Sequence, residues 1–141
     1  MSWLTDFRTG VATASAAESS SLLTFRSSGN YTSGQVGIYG VQLPATPDEA
    51  VALSCYVLFE DTETEIGVQF RFRAKRESRL DLIEDSLSNS WSKRWAATLG
   101  GVSLIQSQWS SGASLGQDTG GRLMRTATFN FTAHRALTHR I

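Results

Sequence analysis

Cys55 is the only cysteine in a chain of 141 residues. A lone thiol excludes an internal disulfide framework and a metal cage built from several thiolates. No apolar run approaches the roughly 20 residues that a membrane-spanning helix needs, so no membrane association is expected. Neither sign of charge is in surplus: 13 basic residues balance 13 acidic ones. That argues against a protein whose main task is to grip phosphate backbones, since such binding draws on excess positive charge. Lysine is nearly missing, because eleven of the thirteen cations are arginine, the side chain suited to bidentate pairing with carboxylates. The start, Met1-Ser2-Trp3-Leu4-Thr5-Asp6, lacks a basic segment followed by an apolar stretch, so no secretory signal is expected.

What the chain does contain suits one domain with a real core, at 40% hydrophobic and 18% charged residues. Charge is unevenly placed. Glu60, Asp61, Glu63 and Glu65 put four acids into six residues, and Arg71, Arg73, Lys75, Arg76 and Arg79 follow. After Asp118 there are no acids, while Arg122, Arg125, Arg135 and Arg140 gather beside His134 and His139.

Hydrophobic spacing gives the element order. Trp3, Leu4, Phe7 and Val11, capped by Ser2, predict a helix to about Ala17. Ser19 to Gly34 reads as a Ser/Gly-rich connection. Val36–Leu43 and Ala50–Phe59 read as strands, separated by a segment in which Pro44 and Pro47 forbid a continued ladder. Glu65–Arg73 alternates cleanly, with Val68, Phe70 and Phe72 on one face and Gln69, Arg71 and Arg73 on the other. Leu80, Ile83, Leu87, Trp91 and Trp95 form an apolar stripe that predicts a helix over Glu77–Thr98, opened by a capping box at Ser78 and Asp81 and stopped by Gly100-Gly101. Val102–Trp109 and Arg122–Thr132 complete the strands, with a Gly/Ser loop over Ser110–Gly121. The expected fold is α/β (α+β): a single mixed sheet of about five strands with two helices packed on one face. Residues 1–132 form the domain and 133–141 a basic C-terminal tail.

The chain carries little that suggests chemistry. There is no Walker-type loop and no dinucleotide fingerprint after a strand. Gly34, Gly37 and Gly40 recur every third residue inside a strand-like stretch, where close packing explains them better than a nucleotide. His134 and His139 are five apart with no third ligand nearby, which does not fit a metal site. The acids at 60–65 lack the ladder of a calcium loop. None of the nineteen serines sits in a nucleophile elbow, and Cys55 lies in an apolar run as a small hydrophobe. No enzymatic activity and no cofactor are expected. Core packing is the first reading of Trp91 and Trp95, but the stripe offers more apolar surface than a small sheet needs, so its end is also a candidate subunit interface.

Several motifs in order resemble a known family. Leu43-Pro44-Ala45-Thr46-Pro47-Asp48-Glu49-Ala50-Val51-Ala52-Leu53, then Val68-Gln69-Phe70-Arg71-Phe72-Arg73, resemble the tail terminator (minor capsid) proteins of long-tailed bacteriophages. Ser114-Leu115-Gly116-Gln117-Asp118-Thr119-Gly120-Gly121-Arg122 resembles that family's hairpin, and Phe129-Asn130-Phe131 its closing strand. The resemblance spans about Val36 to Thr132; the Ser19–Gly34 connection and the tail depart from it.

The resemblance implies a virion protein at the head-proximal end of the tail, assembled in the host cytoplasm. It implies a ring of six subunits that caps the tail tube, stops its growth and presents a docking surface to a neck or head-completion protein, with DNA passing through the lumen unbound. Arg71, Arg73, Arg76, Arg79, Trp91 and Trp95 are the candidate subunit interface. Glu60, Asp61, Glu63 and Glu65 are the candidate tube or lumen loop, and His134, Arg135, His139 and Arg140 the candidate partner-contacting tail. Two other readings stay open: another head-tail joining ring, or a small module that binds a peptide by strand addition.

Overall fold

The computed structural model describes residues 2–32, 34–40 and 42–134. Helix α1 spans Trp3–Ala17 and begins where the Ser2 hydroxyl accepts a hydrogen bond from the Leu4 N–H at 3.2 Å. Its buried side chains are Phe7, Val11, Ala12 and Ser15. A two-residue strand β1 (Leu23–Thr24) and β2 (Val36–Gly40) run parallel to β3 (Ala50–Glu60). A hairpin returns as β4 (Thr64–Ala74), followed by helix α2 (Glu77–Trp91), β5 (Lys93–Leu99), β6 (Val102–Gln117) and β7 (Leu123–His134).

The sheet has seven strands in the order β1-β2-β3-β4-β7-β6-β5, two more than the sequence predicts. Its centre, β3-β4-β7-β6, is antiparallel throughout. In β4, Val68, Phe70 and Phe72 are fully buried, Gln69 is half-buried and Arg71 exposed, as the alternation predicts, but Arg73 on the second face is buried. Opposite them, Phe129 and Phe131 of β7 are also fully buried, as is Leu53 of β3 nearly so. Both helices meet the sheet at one ring. Phe7 of α1 packs edge-on to Phe131 at 5.8 Å, and Trp91 of α2 lies 5.0 Å from the same ring.

The two added strands arise where composition misleads. Strand β1 is a two-residue pairing inside the connection, Leu23 against Val36 and Thr24 against Gly37. The second helix ends at Trp91, four residues short of Trp95, and Lys93–Leu99 pairs antiparallel with β6. Gly100-Gly101 is therefore a hairpin turn rather than a helix stop. Both glycines have positive φ, and a Cβ on Gly100 would collide with the Asp6 carbonyl of α1, so only glycine lets the turn sit against the helix. The expected capping box is also not formed. Arg76 occupies the N-cap without a side-chain hydrogen bond, and Asp81 instead accepts one from Arg125.

Of the expected Ser110–Gly121 loop, only residues 118–121 turn. Strand β6 continues to Gln117 along β7, with register shifts at Leu104/Gln106, Trp109/Ser111 and Ser114/Gly116. Each shift inserts an extra residue, which bends and twists the strand and curls the sheet. The Trp109 ring covers Gly112 and packs edge-on to Phe129 at 5.5 Å, so a Ser/Gly-rich sequence is held in the ladder by one aromatic anchor. The first proline-bounded strand ends at Gly40 rather than Leu43, and Gly37 lies beneath the Tyr31 ring, as close packing predicts.

The end of α2 gives a direct stability test. Replacing Trp91, fully buried, by Ala should cost about 3–5 kcal/mol. The same change at Trp95, 67% exposed, should stay within about 0.5 kcal/mol. Urea unfolding of the two variants checks this, and equal losses would put Trp95 back on the helix stripe.

Candidate assembly surfaces

The acidic tip lies where the sequence places it, at the β3–β4 turn. The Asp61 N–H donates to the Glu63 carbonyl at 2.9 Å and closes it. Asp61 and Glu63 are exposed and Glu65 is half-buried at the start of β4. Just before the tip, Tyr56, Val57, Leu58 and Phe59 are all large, apolar and exposed. Tyr56 leans across the sheet onto Gly67, its direct partner in β4, which leaves no room for a Cβ there.

The expected arginine interface divides. Arg71 and Arg76 are exposed and open to a neighbour. Arg73 is not: it is 4% exposed and donates to the Asp48 and Pro47 carbonyls at 3.0 and 2.7 Å. Burial lowers its pKa, with nearby Arg122 acting the same way. Its guanidinium pins the proline-bounded segment to the sheet. Arg79 holds Glu49 bidentately, Nε to Oε2 at 3.0 Å and Nη2 to Oε1 at 2.8 Å, and the hydrogen bonds to Glu49 raise its pKa. Trp91 is a core residue, with its indole N–H donating to the Ser15 hydroxyl at 2.9 Å. Trp95 lies on β5, with its side chain exposed. Of the expected tail, His134 is exposed at the end of β7 and pairs in register with Ser103. Arg135, His139 and Arg140 lie outside the described residues.

Two arginine clips escape sequence reading. Arg125 on β7 reaches Asp81 at 2.9 Å and Glu84 at 2.8 Å, so the acids of α2 are tied to the sheet rather than left to the helix dipole. Arg122 bonds Asp118 through Nε at 2.8 Å and the Ala45 carbonyl at 2.6 Å. Asp118 also accepts the backbone N–H of Arg122 and of Gly120. The Arg122 backbone bond is the chief reason its carboxyl is held below the usual range. The Asp118 clip is fully present above the ordinary carboxylate pKa and is lost only as pH falls through the depressed folded value. The four-residue spacing of Asp118 and Arg122 is the signal that could have revealed it.

The helix-free face of the central sheet is mostly polar, with Glu65 beside Thr132 at one end of β4 and Arg71 beside Thr126 towards the other. In register lie Gln69 beside Thr128, Asn130 beside Gln108, and Thr132 beside Gln106. The Gln69 amide donates to the Thr128 hydroxyl at 3.3 Å. Cys55 is a half-buried residue of β3 whose thiol is pushed up to about 12 by burial, only partly offset by Arg8, so it stays protonated and unreactive at neutral pH. Among the described residues, no three His, Cys, Asp or Glu side chains converge as a metal site requires. No described helix is long and apolar enough to cross a membrane.

No family model matches the chain, and no curated protein matches it. Nine chains of solved structures do. One is a chain of the virion of a native gene transfer agent particle, with a TM-score of 0.50 and 10% sequence identity, covering 70% of this chain and 78% of that one. At that identity the likeness is one of fold.

The division among the arginines is testable. Arg73→Leu removes both hydrogen bonds to the Asp48 and Pro47 carbonyls and should lower stability by about 1–3 kcal/mol, whereas Arg71→Ala, on the surface, should stay within about 0.5 kcal/mol. Thermal or urea unfolding separates them. A neutral Arg73→Leu would show that the proline-bounded segment is held by something else.

Proposed function

We propose that this chain is a structural virion protein that forms a ring at the head-proximal end of a phage-type tail. In that position it caps the tail tube and offers its other surface to a neck or head-completion protein. The observation that carries this reading is the fold shared with a chain of a gene transfer agent virion, over most of both chains. The motif resemblance over Val36–Thr132 points the same way, independently of that likeness.

Three features support the role. The chain's conspicuous surface features are apolar strand edges and charged turns, which suit protein contacts. The bare sheet face presents amides and hydroxyls without a run of cations, so as a channel wall it would offer phosphates no lasting grip. The acidic tip at Asp61 and Glu63 stands off the sheet, where it can meet the tube or the lumen. On this reading the work is assembly, and no chemical step is required of the chain.

The test is deletion of the gene in the producing strain, with particles viewed by electron microscopy. Loss of a tail cap should give tubes of uncontrolled length and heads without tails. Tails of normal length beside detached heads would move the role to the neck or head-completion ring, and normal particles would end the virion reading.

A further inference from the structure

Two stretches of strand edge are uncovered, and they sit at opposite corners of the central sheet. Strand β2 covers β3 only over Ala50–Leu53, so from Ser54 to Phe59 the edge has no strand beside it among the described residues. Strand β5 covers β6 only as far as Gln108, so Trp109–Gln117 is likewise open. Neither stretch holds a charge or a proline, and each is curved by bulges, at Val57/Phe59 in β3 and at Trp109/Ser111 and Ser114/Gly116 in β6. Both display large apolar groups instead: Leu58 is 51% exposed and Leu115 is 44% exposed.

We propose that this chain assembles with copies of itself by strand addition, the Ser54–Phe59 edge of one copy pairing antiparallel with the Trp109–Gln117 edge of the next. Strand directions allow it. The central strands β3, β4, β7 and β6 alternate in direction. An even number of them presents β6 antiparallel to the β3 of an identically oriented neighbour, as a head-to-tail ring requires.

The offset fits as well. Tyr56 is level with Gly67, Asn130 and Gln108, whereas the middle of the open β6 edge, Ala113, is level with Thr126, four residues along β7 from Asn130. Four residues are about 14 Å of strand, against about 19 Å across four strands, which corresponds to a tilt of about 35°. Strands close into barrels at roughly 35–45°. The β6 bulges supply the bending that closure needs.

Charge agrees with the same docking. Past Phe59 the incoming hairpin carries Asp61 and Glu63 to the level of Gln108, where the neighbour's β5 begins with the exposed Lys93. The pairing leans on the ring reading only in taking a second copy as the occupant.

The experiment uses the full chain and two single variants, Leu58→Lys and Leu115→Lys, each placing a charge on one edge at an exposed position. Light scattering after size exclusion should show a closed oligomer for the parent and monomers for each variant, with thermal unfolding confirming that the variants stay folded. Mixing the two should give one-to-one dimers, because the first retains an intact β6 edge and the second an intact β3 edge. A parent that stays monomeric, variants that still form rings, or a folded mixture that stays monomeric would each overturn the proposal. Rings that form as described but leave tail length unaffected in the producing strain would keep this inference and remove the tail-cap role.

Discussion

Trp91 is where the domain is tied together. Its indole N–H bonds Ser15 of α1, its ring meets Phe131 of β7, and its carbonyl accepts the Ser107 hydroxyl of β6 at 2.8 Å. The Arg94 guanidinium lies over the ring at 5.0 Å and is also ion-paired to Glu18, just past the end of α1. One residue, through its ring and its carbonyl, therefore fixes the end of α2 against the first helix, the closing strand and the longest strand. A buried indole without a partner for its N–H would be costly, and Ser15 meets that need from a position that is itself buried. Because the helix is stopped there, the chain can turn at once into β5 and cover the first half of β6.

That arrest decides which edges stay open. Had α2 run on through Trp95, β5 could not exist and β6 would be bare along its whole length. As folded, β5 shields Val102–Gln108 and leaves the remainder, while β2 shields only the first four residues of β3. The buried residues of β3 end at Leu53 and those of β6 at Ser107, and beyond them Cys55 and the Trp109 ring still lean on the core. Both strands continue well beyond the core they serve. Extension of that kind has a physical use when another chain completes the ladder, because an uncovered apolar edge is otherwise a hazard for aggregation.

Much of this was legible in the sequence, and the misses have definite causes. Period-two alternation located β4 and β7, and three-and-four spacing located both helices, because one-sided burial imposes those periods directly. Trp95 falls four residues after Trp91, where a helix would put it on the same stripe, but its pairing with Gln106 overrides that local pattern. The two glycines at 100 and 101 serve a hairpin turn as readily as a helix stop, so they could not arbitrate. The composition of Ser110–Gly121 is that of a loop, but β7 offers a partner as far as Gln117. The arginine partners were the least readable. Arg125 meets Asp81 across 44 residues of sequence, and nothing local marks such a pair.

The use of arginine then bears on the character of the surface. Arg73, Arg79, Arg94, Arg122 and Arg125 all bond carbonyls or carboxylates within the chain. Exposed ion pairs are worth at most about 1 kcal/mol each, so most of these clips matter more as fasteners of turns and helix faces than as stability. Arg73 differs, because its buried guanidinium must keep its carbonyl partners or be left unsatisfied. With so many cations engaged inward, the net charge of zero is distributed as local pairs rather than as opposing fields. The bare sheet face can then remain hydrated and nearly neutral, with Arg71 as its exposed cation along β4. Such a face offers little long-range attraction to a polyanion, and specific association falls to strand edges, where backbone hydrogen bonds and apolar side chains set register at short range.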